Sequence, residues 1–327
     1  MNFARTARTL ALGLFAIAPA LAPLAASAQD YPSKPIRFIV PGAPGGSPDV
    51  FARVLAEKLQ PILKQPVLVE SRPGAGGLIG VRTMDTVNDK HGIMMMVTSV
   101  AAVLPVINKE ANFDVLRDMT PIVNLGYTPM MVVASPSTGV KTLAEAVAWS
   151  KKQAVPPVFA HAGPGTMSNL SQERTAKMSG MNYRSVSFGS PAKTLTALVG
   201  GDAHFYADAA SVMTPMIQGN RVVPLAVLGR DKLYGQENVP IARDSIPGLE
   251  AVGAFGIVGP KNLTAAEAGI LSRAFLEVLK QPDMVARARD LGIYLEPGDS
   301  ASYSNTLKQE QQVWGKAAAE LNLQTKQ

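Results

Sequence analysis

The stretch "FIVPGAPGGSPDVFARVLAEKL", residues 38–59, decides how the chain is read. An apolar, β-branched run stops at Pro41, and three glycines, two prolines and a serine follow before Val50, Val54, Leu55 and Leu59 mark one face of a helix. A glycine-rich turn between a strand's carboxyl end and a helix start is where α/β proteins place ligands. Glycine lets backbone approach closely, and the free N–H groups and positive dipole end of a helix suit an anion. Ser47 is a good N-cap and Pro48 a good first helical residue. Residues 41–49 therefore form a candidate anion cradle without a cationic side chain, and a tight turn serving only packing is the plainer alternative.

Working outward, the first thirty residues carry Arg5 and Arg8, then an apolar run at 10–24, then Ala26, Ser27 and Ala28. That is the layout of a secretory signal, with cleavage expected after Ala28. The run is interrupted by Pro19 and Pro23 and falls short of the ~20 residues a spanning helix needs. Export to the periplasm follows as an expectation. Losing the two arginines lowers the formal net charge from +6 to +4. Such a mild charge, with no basic run longer than Lys151-Lys152, argues against a nucleic-acid partner. Cysteine is absent, which excludes disulfides and thiolate metal sites. No later segment holds 18 uninterrupted apolar residues, so the mature chain is expected to be soluble.

Strand and helix patterns alternate through the mature chain. Strands are predicted at 36–40, 66–70, 93–98, 130–134, 158–160, 185–188, 205–207, 222–227 and 254–258. Helices are predicted at 142–152, 167–178, 191–199 and near 212–217. The alternation predicts a mainly parallel α/β fold with helices on both faces. The tail is helical: Thr264 and Glu267 have capping-box spacing, Pro282 ends that helix, and a second helix is expected at 310–321 with Trp314 packed.

Two further glycine clusters bear on the ligand. "ESRPGAGGLIG", residues 70–80, nearly spells a dinucleotide fingerprint, but Ile79 stands where the third glycine belongs. "HAGPGTMSNL", residues 161–170, again joins a strand to a helix, with Thr166 placed to cap it. Neither cluster, nor "GAPGGSPD", has the lysine and hydroxyl of a phosphate loop. Two anion-type turns over a hundred residues apart fit a ligand held between two lobes better than a nucleotide on one.

Taken with "YPSKPIRFIVPGAPGGSPDVFARVLAEKL" and "LVGGDAHFYADAAS", these segments resemble the Bug-type receptors of tripartite tricarboxylate transporters. The resemblance runs in order over the whole mature chain. It implies a two-lobed type II periplasmic binding protein fold with a ligand cleft between the lobes. Lobe one would comprise 29–131 and 254–327, and lobe two 132–253. It implies capture of a small carboxylate by backbone amides and ordered water, for membrane subunits encoded elsewhere; a monomer without metal or cofactor is expected. Carried over by position, the ligand-facing residues of the first loop are Gly42, Ala43, Pro44, Gly45, Gly46, Ser47 and Asp49. Thr98 and Ser99 follow at the end of the third strand, then His161, Gly163, Gly165, Thr166, Phe188 and Asp208. Arg72 has a structural and a ligand-facing reading.

Departures from the family pattern bear on the ligand's identity. Gly42 replaces a bulky residue, Pro48 a threonine, Asn169 a histidine, and Phe188-Gly189 a tyrosine-lysine pair. Fewer polar side chains remain, which points to a less highly charged, more apolar or aromatic carboxylate than citrate. Enzyme readings lack support: there is no G-x-S-x-G or H-E-x-x-H, and His91, His161 and His204 are widely spaced. Asp49 and Asp208 could be imagined as an acid–base pair, but Asp49 complements its own helix start and Asp208 orients water or an amine in the favoured reading. A ligand-presenting sensor or an exported enzyme on the same fold is the alternative function.

Overall fold

The run Ile36–Val40 forms strand β1, with Phe38, Ile39 and Val40 fully buried. The computed structural model describes residues 31–320 except Ala43, Gly46 and Asn88; the expected export segment lies outside them. β1 pairs in parallel with β2 (Val67–Ser71) on one side and β3 (Gly92–Val97) on the other. The helix Ser47–Leu63 lays Phe51, Ala52, Leu55 and Leu59 onto the core, as its apolar spacing requires. Phe38 meets Phe275 of the helix Ala265–Leu279 edge-on, ring centres 6.2 Å apart. The unusual Met94, Met95 and Met96 of β3 are all buried, where an unbranched thioether fills irregular space.

The centre is organised by β4 (Met119–Ala134), a strand of 16 residues. After it come β5 (Val158–His161), β6 (Arg184–Ser187), β7 (Phe205–Ala209), β8 (Val223–Val227), β9 (Val252–Pro260) and β10 (Tyr294–Gly298). From Met119 to Pro129, β4 runs antiparallel to β9; from Met130 to Ala134 it runs antiparallel to β7, with β8 beside Met131–Ala134. The strand order is β2-β1-β3-β9-β4-β7-β5-β6, with β8 and β10 also paired to β4.

The expectation of a mainly parallel sheet is therefore corrected. Parallel pairs occupy both flanks, but all pairings of β4 and β9 between named strands are antiparallel. The segment 119–129 and all of β10 escaped the sequence reading. Pro121, Asn124, Gly126 and Pro129 are poor strand formers, and register shifts at Pro121/Val123 and Asn124/Gly126 accommodate the irregularity. The predicted last helix is helical over its described residues but starts earlier, at Ser300. Helix Ser300–Glu310 gives way to a π-helical turn, Gln311–Gly315, and then to Lys316–Glu320, with Trp314 buried as expected. The Thr264/Glu267 capping box is formed. Pro282 both ends one helix and begins the next, Pro282–Asp290.

Candidate functional site

Asp49 sits in the first turn of helix Ser47–Leu63 and is 2% exposed. Its Oδ2 accepts the Gly45 N–H at 2.9 Å and Arg53 Nε at 3.0 Å, and its Oδ1 accepts Arg53 Nη2 at 3.0 Å and the Ser71 hydroxyl at 2.5 Å. Burial pushes the carboxyl upward, but the bonds from Arg53, Ser71 and Gly45 together outweigh it and hold the pKa at about 2. The residue is thus a bracket between loop, helix and β2. Asp49→Ala is expected to cost about 3 kcal/mol at pH 7, because it strands a buried N–H and hydroxyl. The stabilisation by Asp49 is complete above the ordinary carboxylate range near pH 4 and is lost as pH falls toward about 2. Urea unfolding of wild type and variant should therefore differ widely at pH 7 and much less near pH 2.

The second loop repeats the device. Thr166 caps helix Met167–Ser179, taking the Asn169 N–H at 3.3 Å and donating its own hydroxyl to the Gly163 carbonyl at 2.7 Å. The Gly165 N–H donates to Asn169 Oδ1 at 3.2 Å, the same four-residue reach as Gly45 to Asp49. The Gly163 N–H donates to Nδ1 of His161, which is 6% exposed and has its pKa lowered by burial. So the amides of Gly45, Gly163 and Gly165, expected to point at a ligand, are each bonded inside their own loop. A side chain one turn along the helix fixes each glycine turn, which organises the backbone without leaving those particular N–H groups free.

Both loops nevertheless meet on one cavity, and a second chamber shares part of its wall. The larger, about 570 Å³, takes Pro41 and Gly42 from the first loop, Gly76 and Gly77 from the second glycine cluster, and Gly165 and Thr166 from the third. The smaller, about 290 Å³, is walled mainly by apolar side chains, among them Phe51, Met95, Met130, Phe255 and Ile293. Val97, Ser99, Met167 and Asp208 line both and form the waist. Asp208 accepts the Tyr206 hydroxyl, and its Oδ1 takes the Ala209 N–H at 2.7 Å. Burial raises its pKa, partly countered by those two donors. Among the described residues no lysine or arginine lines either chamber, and Asp208 is the one charged residue that does.

Of the residues singled out by sequence, Gly42, Thr98, Ser99, Gly165, Thr166 and Asp208 reach the cavity wall. Pro44 and Gly45 are exposed and off the wall, while Asp49 and His161 are buried supports behind it. Gly163 supports its loop, and Phe188 packs half-buried on the core beside β5. Ala43 and Gly46 lie outside the described residues, and of Ser47 the structure gives the backbone start of its helix. Arg72 is exposed and paired with Glu70 at 2.7 Å, away from the wall. The apolar wall was missed. Phe51, one turn into the first loop's helix, and Met167, the first residue of the second's, could have been found, but Met130 and Phe255 reach it through strand pairing between distant segments.

A family model described as the tripartite tricarboxylate transporter family receptor matches residues 51–323. The protein BugT of Bordetella pertussis is 30% identical over 280 residues, which covers 84% of this chain and 85% of BugT. An R. palustris protein solved with adipate superposes with a TM-score of 0.80 at 21% identity, covering 88% of this chain and 97% of that one. MatC from Rhodopseudomonas palustris with bound malate superposes with a TM-score of 0.76 at 22% identity, covering 88% and 100%. The fold is that of periplasmic binding proteins.

Proposed function

From the premise that the chain belongs to the tripartite tricarboxylate transporter receptor family, we propose that it is a periplasmic receptor, matured by cleavage after Ala28, that captures one small carboxylate as a monomer. It hands the ligand to membrane subunits of that transporter type and performs no chemistry on it. The observation that carries this reading is the single cavity on which glycine turns from widely separated parts of the chain converge. Lobe one is 29–131 with 254–327, and lobe two is 132–253. This division is supported by the change of β4's partners between Pro129 and Met130, from β9 to β7. Closure about that change of partners would bring the Gly42 and Gly165 walls onto the ligand.

The chemistry of the wall narrows the ligand. A cavity with no lysine or arginine on its described wall, one acid at the waist and an apolar chamber beyond it disfavours a trianion. A carboxylate of low charge with an aliphatic or aromatic body fits: the carboxylate by the glycine chamber and Ser99, the body among Phe51, Met130 and Phe255. The adipate and malate of the two similar proteins support a ligand of the same broad class. A thermal-shift screen of mature protein with hexanoate, benzoate, adipate, malate and citrate tests this. Hexanoate or benzoate is expected to raise the melting temperature most, equivalent to about 2.7 kcal/mol at a hundredfold excess over Kd. A largest shift with citrate would overturn the ligand class, no shift with any acid would overturn the receptor reading, and turnover would reverse the non-enzyme reading.

A further inference from the structure

Behind the apolar chamber lies a carboxyl that nothing above uses. Glu310, at the end of helix Ser300–Glu310, is 9% exposed. Among the described residues the one hydrogen bond to its side chain comes from the Thr98 hydroxyl, 2.6 Å from Oε2. Thr98 is 2% exposed and follows β3 directly, at the point where the chain leaves the sheet for a π-helical turn, Ser99–Val103. Val97 still pairs with Phe255 of β9, and beyond that rung the Thr98 side chain replaces the backbone. Its Oγ1 accepts the Ala254 N–H at 2.9 Å and lies 3.1 Å from the Ala254 carbonyl.

A hydroxyl has one proton. Thr98 can give it to Glu310 or to the Ala254 carbonyl, but its full strength goes to one of them. An ionised carboxylate takes it, because charge-assisted bonds are the stronger. A protonated Glu310 has its own O–H to donate, and Thr98 is then free to turn to Ala254. Thr98, Ser99 and Ala254 all line the apolar chamber, so the choice is made within the cavity wall. Glu310 immediately precedes a second π-helical turn, Gln311–Gly315, and the two turns touch: a Cβ on Gly315 would lie 3.3 Å from the Ala102 carbonyl oxygen. π-Helical turns are uncommon and recur at functional sites.

We infer that Glu310 is a positioning residue for Thr98 and Ser99 and that it couples carboxylate capture to the uptake of a proton. The inference rests on the receptor reading above. An anion entering the chamber meets a second negative charge one hydroxyl behind the wall, so the bound state favours neutral Glu310. Burial already pushes this carboxyl up to about 7, against the Thr98 bond and the charge of Arg230, with Glu250 acting in the same direction as burial. Tyr303 on the same helix also faces it; its ionisation is pushed upward by burial and by Glu310, and its hydroxyl donates to the Met96 carbonyl at 3.3 Å. Thr98 and Ala254, from the two strands packed against it, bring no titratable group. The sign follows: a bound anion raises the carboxyl further, so affinity is highest at low pH and falls as pH rises through and above 7.

Isothermal calorimetry of mature protein with hexanoate, and with adipate as second probe, between pH 6 and 8.5 tests the inference. Affinity is expected to weaken about tenfold across that range. Measurements at pH 7.5 in phosphate and in Tris should differ in apparent enthalpy by the amount that proton uptake requires. Glu310→Gln keeps an acceptor for Thr98 and should bind with neither the pH slope nor the buffer dependence. Thr98→Ser should keep the slope, and Thr98→Val, which removes the bond that lowers the Glu310 pKa, should move it to higher pH. Asp208→Asn, removing the acid on the cavity wall, should change affinity but leave the slope. A slope that survives in Glu310→Gln or vanishes in Asp208→Asn overturns the inference while the receptor reading stands. Failure of both acids to bind at every pH overturns both.

Discussion

Gly165→Val is expected to leave the protein folded and to weaken carboxylate binding by about a hundredfold, roughly 2.7 kcal/mol. Gly165 has φ +71°, a left-handed conformation in which a β-branched residue is strained. Its new Cβ would overlap Ile107 Cδ1, a side-chain end that a rotamer change can move, and lie 3.7 Å from Val103 Cγ1, so the left-handed φ is what valine resists, and relaxing it shifts the loop on the cavity wall. The Gly165 N–H would then leave Asn169 Oδ1, and the capped start of helix Met167–Ser179 would lose one tie to the loop. Calorimetry with hexanoate, beside circular dichroism, measures both effects. Arg72→Ala is the contrast: Arg72 is exposed, bonded to Glu70 and off the wall, so its loss should leave affinity unchanged. Normal affinity in Gly165→Val with lost affinity in Arg72→Ala would show that a cation, not the loop backbone, meets the ligand.

Gly126→Ala should be the most damaging small substitution to the fold, with a loss of about 4 kcal/mol and a melting temperature about 10 °C lower. Gly126 lies within β4 at φ +149° and opposes Leu295 of β10. An added Cβ would overlap the Tyr294 carbonyl oxygen and sit 3.0 Å from Glu296 N and Leu295 Cα. These are backbone atoms, so no rotamer change relieves the clash. β10 must move off β4, breaking the bond from Asn124 Nδ2 to the Glu296 carbonyl at 2.7 Å and the stack of Tyr127 on Tyr294 at 5.4 Å. The pairing of Arg230 with Glu296 at 3.0 Å would go with it. Calorimetric melting of the variant measures the loss. A melting temperature within 2 °C of wild type would mean that β10 docks on β4 without needing the missing Cβ.

Features set by neighbours along the chain were legible from the residues alone. The β-branched run at 36–40, the helix with Leu55 and Leu59 on its buried face, the Thr166 cap and the Thr264/Glu267 box all appear as read, while Val50 and Val54 of that face are only half-buried. Each is fixed by periodicity or by a side chain reaching three or four residues, so a single segment contains the whole cause. The family, too, was legible, because its glycine turns are local chemistry.

Tertiary structure alone decided the rest. Residues 119–129 look like poor strand material until β9 and β10 supply the partners that hold them. The glycine amides were legible as donors, but whether each serves a ligand or its own Asp49 and Asn169 depends on how the loop closes. Glu310 gave no local sign at all. Its position in a helix is ordinary, and it becomes a buried carboxyl behind the cavity wall, where Thr98, 212 residues away, is bonded to it. Burial and strand pairing sum contributions from segments far apart in the chain, and so the acidity of a side chain or the wall of a cavity is a property of the packed whole and of no stretch within it.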